Sequence, residues 1–172
     1  QASTYTNNTG IEKPGTGEQS GTWGSTTNTN FDIIDDALNG VISIALTGNK
    51  TITTSDGSVG EGTHKVIVFT GSLSSGATVT ISPNDAQKIY LIYNNAGQTL
   101  TVTQGSGADA TIVNGNFAWV YADGAGSGAA VVAAEFVPSD GSITSAKIVD
   151  GTIATADIAD DAITSAKIAD TT

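Results

Sequence analysis

Few residues in this chain offer a start for chemistry. The only histidine is His64, just before an apolar run. Nucleophilic catalysis needs a base held against a hydroxyl or thiol, and a lone histidine beside a strand is ordinarily structural. Glycoside hydrolysis needs two carboxylates flanking a sugar cleft. Glu61, Asp85, Asp109 and Asp123 lie in turn-rich stretches without visible pairing, where acids usually serve the turn itself. The stretch Gly124-Ala-Gly-Ser-Gly lacks the lysine and the strand-to-helix setting of a phosphate loop. Asp109 and Asp123 lack the regularly spaced companions of a calcium loop. Tyr90, Tyr93, Trp119 and Tyr121 would form a sugar-stacking platform if they faced outward; core packing is the expectation. The chain thus reads as a non-enzyme with no catalytic residue, no metal and no cofactor.

The elements that carry these residues read as β structure. From Val41 to Val137 the apolar pattern has period two, and the fold class expected is all-β. Val41 to Leu46, Thr51 to Thr54, Thr78 to Ile81 and Thr99 to Thr103 are strand-like, with threonines on the wet face of the last two. Lys65 to Phe69 and Lys88 to Tyr93 are apolar on both faces, so both are expected to be central and doubly buried. Phe117, Trp119 and Tyr121 share one face of their strand, and Ala129 to Phe136 supplies the last. Turn signals such as Ser82-Pro-Asn-Asp and Asn94-Asn-Ala-Gly separate them. Strands at this spacing predict a β-sandwich or jelly-roll-like knob over 41–137.

Ahead of the knob, residues 1–40 form an arm and a short helix. Gln1 to Thr29 is breaker-rich, with Tyr5, Ile11 and Trp23 as its only large apolar groups. Those three either anchor in a partner's pocket or plug the chain's own domain. A helix is predicted from an Asn30 cap, with Asp32 in its first turn, to a stop at Gly40. Phe31, Ile34 and Leu38 make its apolar stripe, which packs either on the following domain or on sister helices around an axis.

The last segment, 138–172, is a ten-residue repeat starting at Asp140, Asp150 and Asp160, with a fourth copy opening at Asp170. Its isoleucines recur every five positions: Ile143, Ile148, Ile153, Ile158, Ile163 and Ile168. A continuous helix would spiral them round its surface, and a continuous strand would alternate them between faces. A compound unit follows, with Thr-Ser-Ala-Lys-Ile and Ala-Thr-Ala-Asp-Ile as single capped helical turns joined by extended pieces. Very short strands winding round an axis are the alternative, and a disordered alanine-rich tail is the other. Ordering ten residues costs roughly 10–20 kcal/mol, against roughly 3–6 kcal/mol from burying two isoleucines. One copy cannot order itself, so stacked neighbours or sister chains must supply the rest.

Bulk properties narrow the partners. Six lysines, no arginine and 17 acids give a formal charge of -11. That balance disfavours nucleic acid and anionic membrane surfaces. No apolar run is long enough to span a bilayer, so no membrane insertion is expected. The chain has neither cysteine nor methionine and opens on Gln1, so it is expected to be a segment of something longer.

The run from Tyr5 to Leu38 resembles the N-terminal segment of tail fibres from tailed bacteriophages, of the marine and cyanobacterial type; Gly21-Thr-Trp-Gly and Asn28 to Leu38 are its specific part. The Ile-Thr-Ser-Ala-Lys-Ile-Ala-Asp repeats resemble fibre stem repeats. The resemblance implies a homotrimeric virion protein. Residues 1–40, through Tyr5, Ile11 and Trp23, would dock to a phage tail protein such as an adaptor, nozzle or baseplate. Phe31, Ile34, Leu38 and the repeat isoleucines would line the trimer axis, and distal parts would meet a host surface glycan. A host-binding tip is not recognisable in these residues. The rival reading is a carbohydrate-binding β-sandwich adhesin module, with a depolymerase a more distant third.

Overall fold

The computed structural model describes residues 1–134 and 141–168. The chain divides into two compact units, Gln1–Ala134 and Glu135–Thr172, so residues 1–40 belong to the same unit as the strands that follow. The expected knob-to-stem boundary at 137, the end of the last strand at 135–136, Asp140 and Asp170 lie outside the described residues.

The first unit is mostly sheet with one helix. A small hairpin pairs β1 (Thr4–Tyr5) with β2 (Glu12–Lys13) and leads into α1 (Trp23–Asn39). The chain then alternates between two sheets. β3 (Val41–Leu46), β5 (Val66–Gly71) and β7 (Lys88–Asn95) go to one, and β4 (Lys50–Thr53), β6 (Ala77–Ser82) and β8 (Leu100–Thr103) to the other. β9 (Ala110–Ile112) joins the second sheet, and β10 (Phe117–Ala122) and β11 (Val131–Ala133) return to the first. The five-stranded order is β11-β10-β7-β5-β3 and the four-stranded order is β4-β6-β8-β9.

Alternation between sheets dictates the pairing. A strand that returns to its own sheet after a full circuit runs in the same direction as its predecessor, so β3, β5 and β7 are parallel, as are β4, β6 and β8. Antiparallel pairing appears where the circuit stops, at β8–β9, β7–β10 and β10–β11. Period-two patterning marks the strands but carries nothing about direction.

Both sheets contribute to one interior. Ile44, Ile67, Phe69, Tyr90 and Ile92 from the larger sheet and Ile52, Val79, Ile81, Leu100, Val102 and Ile112 from the smaller belong to a single buried cluster. Only one face of each strand reaches it. The expectation that Lys65 to Phe69 and Lys88 to Tyr93 are buried on both faces is therefore corrected: Ile67 and Phe69 are sealed, whereas Val66 and Val68 are only half-buried and Ile89 is exposed.

The helix is longer than expected and starts eight residues earlier. Its N-cap is Thr22, whose side chain makes no capping bond, and its first turn holds no acid. The segment Gly24-Ser-Thr-Thr-Asn is a poor helix former, so tertiary contacts outweigh propensity. Asn30 is not a cap. Its amide donates to the Glu12 carbonyl at 2.8 Å and its carbonyl accepts from the Glu12 amide at 2.9 Å, so a side chain pairs with β2 as a neighbouring strand would. Ile33 is buried beneath the helix. The stop at Gly40 is as expected, for a close-approach reason: a Cβ there would come within 2.6 Å of the Asp36 carbonyl.

Two buried amides bind the layers. Asn94 donates to the carbonyls of Gln98 and Ile112, each at 2.8 Å, and accepts from the Ala96 amide at 3.1 Å. Gln104 donates to Ala86 and Pro83 and accepts from Gly124. Replacing Asn94 by alanine strands two buried backbone groups and one part-buried group and is expected to lower stability by about 3 kcal/mol. Urea unfolding followed by circular dichroism measures this, and an unchanged midpoint would show that Asn94 is not the link described.

Candidate functional site

The residues considered for catalysis are not brought together into a reactive cluster. His64 Nδ1 lies 3.0 Å from the Gly60 carbonyl and Nε2 lies 3.9 Å from Asp36, so the ring joins the end of α1 to the 3₁₀ turn Glu61–Thr63. Glu61 pairs with Lys50 at 2.8 Å. Asp123 accepts from the Ala125 and Ala130 amides through Oδ1, each at 3.0 Å, which ties that oxygen to its own loop. Among the described residues no group of three or more metal-ligating side chains converges.

The arm lies on its own domain. The Gly57 amide donates to the Gly10 carbonyl, Asn7 donates to the Asp85 carbonyl and Asn8 accepts from the Gln87 amide. Tyr5 lies beside Gly57 and is exposed, and Ile11 is half-buried. Trp23 differs: it opens α1 rather than sitting in a loose arm, and it is 66% exposed. Along the same helix Phe31, Ile34 and Leu38 also face away from the core.

The repeat segment adopts one 3₁₀ turn in each copy, at Ser145–Lys147, Thr155–Asp157 and Ser165–Lys167, with extended residues at either side. The compound unit inferred from the five-residue spacing has this form. The capping differs: Thr144 and Thr164 make no side-chain cap, and only Asp157 reaches back, to the Ala154 amide at 2.8 Å. The second position of each repeat, Gly141, Gly151 and Asp161, has positive φ of 73°, 76° and 62°. Glycine adopts that conformation freely, and aspartate is among the few side chains that tolerate it. Ile143, Ile148, Ile153, Ile158, Ile163 and Ile168 are all 41–63% exposed.

A feature the sequence reading missed is the outer face of the five-stranded sheet. Register aligns Val41, Val66, Leu91 and Trp119 in one row and Ser43, Val68, Tyr93 and Phe117 in the next. Tyr121 pairs with Ile89 and Val132 beyond them. Tyr93 and Phe117 stack with ring centroids 4.4 Å apart. Core packing, the expected use of Trp119, Tyr121 and Tyr93, holds only for Tyr90. Tyr90 is buried and donates to the Gly62 carbonyl at 2.6 Å, and burial pushes its hydroxyl pKa above the usual tyrosine value. The available signal was a count of cover: two doubly apolar strands need two apolar neighbours, and one short helix with a single buried face cannot provide the second.

At one end of this face a cleft of about 510 Å³ is lined by Lys65, Lys88, Ile89, Tyr121 and Asp123 among others. Lys88 is nearly sealed, and burial, with the charge of Lys65 adding to it, brings its pKa down to about 8.

Comparison with protein-family models, curated proteins and solved structures finds no match to this chain.

Lys88 sets a pH dependence. Below pH 8 folded and unfolded chains both carry its proton, so the burial penalty acts in full. Between pH 8 and 10.5 only the unfolded chain stays protonated, so stability rises with pH across that window. Lys88→Met should raise stability at pH 7 by about 1–3 kcal/mol and abolish the rise. Urea midpoints at pH 7 and 9.5 check both, and parallel behaviour of the two proteins would contradict the assignment.

Proposed function

We propose that this chain is a structural virion protein, the tail-proximal part of a homotrimeric phage tail fibre linking the tail to a distal host-recognition region. Residues 1–40 dock to a phage tail protein, with Trp23 as the most accessible anchor and Tyr5 and Ile11 beside the arm's own contacts. The two-layered β unit is a sandwich-like knob, and the repeats begin a trimeric stem. In this reading the chain performs no catalytic step and needs no cofactor. Its surroundings are those of an extracellular particle.

The observation that carries the reading is the repeat segment itself. Its backbone recurs in register, yet none of its six isoleucines is buried by its own chain. Regular backbone without burial is energetically incomplete, and sister copies meeting along an axis complete it. Phe31, Ile34 and Leu38 on α1 extend the same requirement to the first unit.

A carbohydrate-binding adhesin is favoured by one observation, the outward direction of Trp119 and Tyr121. Sugars need hydrogen-bonding side chains beside a stacking ring, because their hydroxyls must replace lost water contacts. The neighbours in register with Trp119 are Val41, Val66 and Leu91, which offer none, and polar side chains such as Lys65 and Gln87 stand only at the cleft beside Tyr121.

Light scattering or native mass measurement is expected to give three copies of the 17.2 kDa chain. Each isoleucine buried on the axis should contribute about 1.5–3 kcal/mol per chain, so Ile153→Asn with Ile158→Asn should shift the population toward monomer. A wild-type monomer at micromolar concentration would count decisively against the fibre reading.

A further inference from the structure

We infer that the outer face of the five-stranded sheet is a contact surface between copies of this chain, so that the knob as well as the stem takes part in the trimer. The inference rests on the homotrimer reading and adds a surface to it. Val41, Ile89, Phe117, Trp119, Tyr121 and Val132 are 37–65% exposed on this one face. Side chains of that size side by side in register make an apolar patch, and apolar patches on the scale of about 300–600 Å² are commonly sites of interaction. Aromatic and aliphatic residues with few charges are the composition of an interface centre.

Three observations select a second copy as the occupant. The first is charge. A chain of net charge -11 repels its own copies, and they can approach closely only where acids are missing. The outward positions of β3, β5, β7, β10 and β11 hold no Asp or Glu, and at the cleft that borders them Lys65 stands with the nearly sealed Lys88 and a single acid, Asp123. The second is tethering. β11 is an edge strand of this same sheet, and the chain runs on from it into the repeats. Copies joined through their repeats hold one another's knobs at millimolar effective concentration, so a patch too weak to dimerise alone is occupied. The third is continuity along the chain: Val41, the first residue of the face, follows three residues after Leu38, the last of the exposed helical stripe.

The test uses the full chain carrying Trp23→Phe, which leaves Trp119 as its only indole. Mass is measured first, and a monomer at this point overturns both the trimer and the surface assigned to it. In a trimer, acrylamide quenching of Trp119 should be severalfold weaker than in the urea-unfolded chain. Phe117→Lys, at a position outside the core, should restore quenching and weaken assembly about tenfold or more, with the β circular dichroism spectrum unchanged. A trimer whose Trp119 quenches as freely as unfolded protein, or whose shielding ignores lysine at 117, overturns the inference and leaves the stem reading standing. Saturable binding of a glycan that shields Trp119 also overturns it, because the face would then belong to sugar.

Discussion

A strand has two faces, and a chain that crosses between two sheets at nearly every connection has one interior to offer them. That constraint governs the first unit. Ile67, Phe69, Tyr90 and Ile92 meet Ile52, Val79, Leu100 and Ile112 in the single space between the sheets. Val66, Val68, Leu91 and Tyr93, one residue out of phase, point the other way. A second covering layer would have to come from further elements, and α1 is bonded to the arm through Asn30 and to the turn before β5 through Asp36. The exposed apolar face follows from the topology.

Alternation also creates polar problems that the core has to solve. Each passage from one sheet to the other carries backbone amides and carbonyls through apolar surroundings, where an unpaired group is costly. Asn94 and Gln104 meet this with carboxamides, each serving three backbone groups at once. Charged side chains at these places would bring a desolvation penalty with them, as Lys88 does at the start of β7.

The repeats face the same shortage of cover without a second sheet to relieve it. Each copy resets its backbone twice, at a left-handed second position and at a 3₁₀ turn, so that isoleucines ten residues apart recur in equivalent settings. Such a unit is organised for something outside itself. The sheet, the helix and the repeats have one property in common: among the described residues each leaves large apolar side chains exposed.

The strands were legible in the sequence because alternation is a local signal: Val41–Leu46 and the starts of β7 and β10 fall where the pattern puts them. The one-turn-per-repeat form of the last segment was legible too, since a five-residue apolar spacing is incompatible with any uninterrupted helix or strand. Strand direction, the assignment of strands to sheets and the outward turn of Trp119 and Tyr121 were decided only in three dimensions. Those depend on which segments meet after a full circuit, and no local pattern records that. The early start of α1 belongs with them: Gly24 to Asn28 is helical because Asn30 grips β2 and Ile33 is buried, both long-range contacts that override a weak local preference.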